Sequence, residues 1–202
     1  VPPEEHDRMG EVVDRLAAVL REHVDLETLL SIARSAPETG SPPKAAPPAS
    51  GDSTGERVRI GVFMDAAFTF YYPENLEALR AEGAEIIPIS ALSDSGLPEL
   101  DLLYIGGGFP ETQAAALAGN RSMLASVRSD ARAGLPIYAE CGGLIYLSRS
   151  VTYGGRRSEL SGVLALDVVV EDRPQGHGYA EMVVDRENPF FPPGTVLRGH
   201  EF

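Results

Sequence analysis

At 202 residues and 21.6 kDa the chain suits one domain with an appendage, and a hydrophobic content of 43% is enough to bury a core. A formal net charge of −13 and a pI near 4.7 argue against nucleic acid and against anionic membrane surfaces as partners. A single cysteine rules out an intramolecular disulfide and fits a reducing cytoplasm, and no apolar run nears the roughly 20 residues that span a bilayer.

The opening Val1-Pro2-Pro3-Glu4-Glu5-His6 is neither a signal peptide nor an initiator-methionine start, and it reads as the inside of a longer polypeptide. Apolar residues then recur at helical spacing through Met9, Val12, Val13, Leu16, Val19 and Leu20, and again through Leu26, Leu29, Leu30 and Ile32. Two helices follow from this, the second capped by Asp25. From residue 37 to 56 the composition turns to Pro, Ser, Gly, Ala and Thr without periodicity, as expected of a linker. Gly51-Asp-Ser-Thr-Gly55 lacks the lysine and the following helix of a phosphate loop.

After Arg57 strands and helices alternate. Residues 58–63 predict a buried strand, and residues 73–83 a helix with Pro73 in its first turn and Gly83 past its end. Residues 85–89 predict an edge strand because of Pro88, and 102–105 a strand running into Gly106-Gly107-Gly108. Residues 111–133 predict two helical pieces that break near Gly119-Asn120, followed by a strand at 137–139 and a helix opening at Gly142. Beyond residue 160, the runs 163–170, 179–184 and 195–197 are strand-like with no helix between them. The expected fold class is α/β: a mainly parallel sheet flanked by helices, with an antiparallel extension after residue 160.

Cys141 lies between a strand and a helix in Pro136-Ile-Tyr-Ala-Glu-Cys-Gly-Gly-Leu-Ile-Tyr-Leu147. That is the layout of a nucleophile elbow, where small neighbours let the backbones approach and the helix start favours thiolate over thiol. A buried structural cysteine is the alternative. Thiolate attack on a carbonyl needs donors for the oxyanion. Gly106-Gly-Gly-Phe-Pro-Glu111 follows a strand at the ligand-binding end of a parallel sheet, so Gly107 and Gly108, joined by Gly142, are the candidate amides. The same glycines also suit a plain tight turn. Of the four histidines, His6 and His23 belong to the leading helical segment, leaving His177 and His200 as candidate bases.

These stretches together resemble class I glutamine amidotransferase domains, most of all the carboxyl-terminal glutaminase domain of the cobyrinic acid a,c-diamide synthase family. The matching pieces are residues 63–85, 101–111, 120–123, 134–148, 173–181 and 198–202. The resemblance implies a flavodoxin-like amidotransferase domain over 57–202, a linker over 37–56, and over 1–36 the helical end of an ATP-dependent synthetase domain. It implies that glutamine is hydrolysed at Cys141 through a γ-glutamyl thioester. The ammonia would pass to the synthetase domain, where ATP and magnesium activate the a- and c-acetate carboxylates of a corrinoid such as cobyrinic acid. No metal or cofactor is then expected in the glutaminase domain itself, and a homodimer is compatible with the family. Related enzymes carry a His-x-Glu pair, whereas His200 and Glu201 are adjacent here. In the diamide synthase family a second histidine follows this motif, so the implied base is either His200 or a residue one past Phe202. Cobyric acid synthase has a tyrosine at the position of His200, and a nickel-tetrapyrrole diamide synthase shares the architecture. A cysteine hydrolase of similar layout and an inactive docking domain are the readings from other classes.

Overall fold

The computed structural model of the protein describes residues 8–37 and 57–201. The expected linker falls almost wholly on residues 38–56, outside the described residues, as does His6. The helices of the leading segment are α1, Met9–His23, and α2, Leu26–Ser35. Asp25 caps α2 by accepting the Thr28 amide at 3.0 Å. No residue of either helix is buried, and Leu16, Leu20, Leu29 and Ile32 are exposed.

The main sheet contains β1, Arg59–Phe63; β2, Glu85–Ile89; β3, Leu102–Ile105; and β4, Ile137–Ala139. All are parallel in the order β2-β1-β3-β4, so the proline-bearing β2 is an edge, as its composition predicts. Alternation along each strand sorts side chains to two faces. Ile60, Val62 and Tyr104 pack on one face with Leu76 of helix α3, Pro73–Ala81. Phe63, Leu103 and Ile105 face the other, larger core.

That larger core is closed by α4, Ala114–Gly119; α5, Arg121–Ala133; and α6, Gly142–Leu147. Asn120 separates α4 from α5 by capping the latter, its side chain accepting the Met123 amide. Tyr146 of α6 is fully buried, its ring perpendicular to those of Phe63 and Phe68 at 5.3 and 5.6 Å.

The extension begins ten residues earlier than expected. β5, Ser150–Tyr153, and β6, Arg156–Glu159, form an antiparallel hairpin around Gly154 and Gly155, whose φ angles are 54° and 75°. Two positive φ values are what a tight two-residue hairpin demands, and paired glycines supply them without strain. The predicted strand 163–170 shortens to β7, Asp167–Val169, which pairs with β5 in parallel rather than antiparallel fashion. Asp167 ties this second sheet together by accepting from Ser150 and Arg149, both at 2.7 Å, and from Arg157 at 3.2 Å. A separate antiparallel pair joins β8, Gly178–Val183, to β9, Val196–Glu201.

Candidate active site

β4 delivers the chain to Glu140, and at Cys141 the backbone turns sharply with φ 48° and ψ −108° before α6 begins. Among the described residues Cys141 is the only non-glycine with positive φ. Such a conformation costs on the order of 1–3 kcal/mol and persists only where surrounding contacts hold it. Here the Glu140 amide donates to the Ile105 carbonyl at 3.0 Å, and the Glu140 carbonyl accepts from Gly143 at 2.8 Å. The thiol is left exposed at the carboxyl end of the sheet.

The glycines beside it are steric requirements. A Cβ on Gly143 would lie 2.4 Å from the Ile105 carbonyl oxygen, and one on Gly142 would lie 2.9 Å from Pro110 and 3.2 Å from the Gly108 nitrogen. A Cβ on Gly107 would sit 3.6 Å from that of Cys141. The glycine turn after β3 and the start of α6 are thus in contact, with the cysteine between them. Among the described residues the amides of Gly108 and Gly142 donate to no backbone carbonyl, whereas Gly107 is paired with Phe70 in an isolated antiparallel bridge. Donors left open beside an exposed sulfur are the chemical requirement of an oxyanion site.

Three contacts hold the glycine turn. The Gly106 amide donates to the Tyr71 hydroxyl at 2.9 Å, and that hydroxyl donates to the Phe63 carbonyl. Phe70 donates its amide to the Gly107 carbonyl at 3.0 Å, and Phe109 donates to that of Ala67 at 3.1 Å. Asp65 fixes the intervening loop, accepting from the Ala67 and Leu92 amides and the Ser90 hydroxyl. Burial pushes the Tyr71 phenol up to about 12, and the charges of Asp65 and Glu140 push in the same direction. Tyr71 therefore stays a protonated donor throughout the ordinary pH range.

Cys141, Gly107, Gly108 and Gly142 come together as the sequence predicts. His177 is exposed in the loop before β8, and His200 lies on exposed β9, opposite Tyr179 in the register. Sequence reasoning missed Tyr71 and the cluster around Glu140, whose carboxylate accepts from Tyr138 at 3.0 Å and Tyr104 at 3.3 Å. The position of Glu140 next to the cysteine was its one available signal.

Comparison with known proteins identifies the family. The model for the CobB/CobQ-like glutamine amidotransferase domain matches residues 59–202. A cobyrinate a,c-diamide synthase of Magnetococcus marinus is 39% identical over 206 residues, covering 100% of this chain and 44% of the relative. Enzymes of the same name from Listeria innocua, 41% identical over 202 residues, and Leptospira interrogans, 40% over 180, cover 100% and 89% of this chain. The chain spans 44% and 38% of those two proteins, less than half the length of each relative. With its match running from the first strand of the parallel sheet through the cysteine turn to Phe202, the chain belongs to the CobB/CobQ-like glutamine amidotransferase domain family.

Proposed function

We propose that this chain is the glutamine-hydrolysing part of a cobyrinate a,c-diamide synthase, with Cys141 as nucleophile. The observation that carries the reading is the strained turn that presents an exposed thiol beside open glycine amides. The Cys141 thiolate adds to the γ-carboxamide carbon of glutamine. The carbonyl oxygen becomes an oxyanion that Gly107, Gly108 and Gly142 are assigned to receive, an interaction worth about 3–4 kcal/mol per donor in comparable sites. Collapse breaks the carbon–nitrogen bond, and the departing nitrogen takes a proton to leave as ammonia. Water then cleaves the γ-glutamyl thioester and releases glutamate. Both later steps require an acid–base group, and His200 is the candidate within the described chain.

The ammonia is proposed to amidate the a- and c-acetate carboxylates of a corrinoid, activated with ATP and magnesium by a synthetase part to which residues 1–36 belong. Among the described residues no three His, Cys, Asp or Glu side chains are grouped to hold a metal ion, and no step above passes through one. Among the described residues no helix is long and apolar enough to cross a membrane. Ammonia release from glutamine alone tests the reading. Release that stops in Cys141→Ser supports it, and release unaffected by that change rejects it.

A further inference from the structure

Glu140 is an exposed residue immediately preceding Cys141, and among the described residues no Arg, Lys or His forms an ion pair with its carboxylate. A negative charge free to swing beside a thiol disfavours the thiolate, the form that attacks carbonyl carbon. A long exposed glutamate ordinarily samples many rotamers. This one is held from two sides, by the Tyr138 hydroxyl at 3.0 Å and the Tyr104 hydroxyl at 3.3 Å.

The two phenols form a fixed pair. Tyr104 and Tyr138 are register partners on adjacent parallel strands, and their rings meet edge to face at 5.6 Å. Tyr138 and Glu140, two residues apart, fall on the same face of the strand. The Tyr104 ring also meets that of Tyr71 at 5.3 Å, and the Tyr71 hydroxyl holds the glycine turn. Burial, and after it the Glu140 charge, raises both phenols, so they remain donors well above neutral pH. Tyr104, Tyr138 and Glu140 line a surface cleft whose other charged residue is Glu82, next to the end of α3, which also cannot neutralise Glu140.

We propose that Tyr104 and Tyr138 are positioning residues for Cys141, tethering the Glu140 carboxylate to the aromatic face of the sheet so that its charge does not close on the sulfur. The inference rests on Cys141 being the nucleophile, but its test needs no glutamine turnover and so fails or succeeds separately from that reading. The measurement is the rate at which iodoacetamide alkylates the peptide carrying Cys141 in the full chain, read by mass spectrometry at pH 7 and pH 10. In Tyr104→Phe/Tyr138→Phe the freed carboxylate slows alkylation at pH 7 by about threefold, the size of a partly screened like-charge effect. Adding Glu140→Gln restores the rate, and at pH 10 the proteins react nearly alike. An unchanged rate at pH 7 overturns the proposal. Slowing that survives Glu140→Gln, or that persists equally at pH 10, also overturns it, because loosened packing rather than charge would then be the cause. Should the double variant fail to fold, Tyr138→Phe alone is expected to show a smaller slowing with the same rescue, and no slowing there overturns the proposal.

Discussion

Gly143→Ala places a Cβ 2.4 Å from the Ile105 carbonyl oxygen and 3.0 Å from the Ile105 Cβ. Contacts become ordinary near 3.4 Å, so α6 and the end of β3 must separate by about 1 Å. Alanine in a helix gains about 1 kcal/mol over glycine, whereas overpacking of this kind costs about 1–3 kcal/mol. Overpacking wins because the obstacle is backbone and cannot rotate away, leaving a net loss of up to about 2 kcal/mol in urea unfolding. The larger effect falls on chemistry. Cys141 moves with the helix start, and a displacement of about 1 Å relative to the oxyanion amides costs on the order of a hundredfold in glutamine turnover. Gly119→Ala is the matched control: it lies in α4, and its Cβ would meet nothing within 4 Å. That variant should be as stable as the parent or more so, and fully active. Parental stability and turnover in Gly143→Ala would refute the claim that close approach of α6 to β3 sets the cysteine's position.

On the proposed function, Cys141→Ser in a diamide synthase that contains this chain should remove glutamine-dependent amidation and spare amidation from added ammonia; equal loss of both would make the residue structural. Tyr71→Phe removes the hydroxyl between the Gly106 amide and the Phe63 carbonyl, so it should lower urea stability by about 1–3 kcal/mol, and an unchanged midpoint contradicts that bridging role. The Tyr71 phenol, raised to about 12 in the fold, ionises near 10 when unfolded. Its contribution is therefore intact below pH 10 and is lost as pH rises toward 12, and Tyr71→Phe should flatten that decline in a stability–pH curve. Asp167 is held below its ordinary value first by the Ser150 hydroxyl and then by Arg149 and Arg157, so the β5–β7 pairing should weaken as pH falls through the carboxylate range, and Asp167→Asn should abolish that dependence in amide exchange of Val168. His200→Ala should abolish ammonia release if His200 carries the proton, and undiminished release assigns the role elsewhere.

Most of the parallel layer was legible because each element carries its own punctuation. Pro73 and Gly83 bracket α3, Asn120 caps α5, and Pro88 marks the edge strand. Two misreadings have separate causes. The Gly154-Gly155 pair was in plain view as a hairpin turn, but the flanking Arg156-Arg157-Ser158-Glu159 lacks the apolar alternation that strand reading looks for. The run 163–170 was overextended because apolar content reports burial rather than pairing. Val163 and Leu164 pack against the core from a loop, with the Leu164 amide bonded to the Leu147 carbonyl. In the site, Cys141 and its glycines could be read as close-approach residues from local spacing. The Tyr104–Tyr138–Glu140 cluster could not, since it exists only through the register of β3 on β4.

Helices α1 and α2 are 15 and 10 residues long and bury no side chain. Nucleating a helix in water is unfavourable, and segments below about 12–15 residues stay marginal unless an apolar face is covered. Their backbone amides should therefore exchange within the dead time of a hydrogen–deuterium experiment on the isolated chain, while those of β1 and β3, flanked by buried residues on both faces, exchange last. The coil-to-helix balance of this amino-terminal pair thus works as an intrinsic gauge of whether Leu16, Leu20, Leu29 and Ile32 have been taken out of water, readable by circular dichroism without a label.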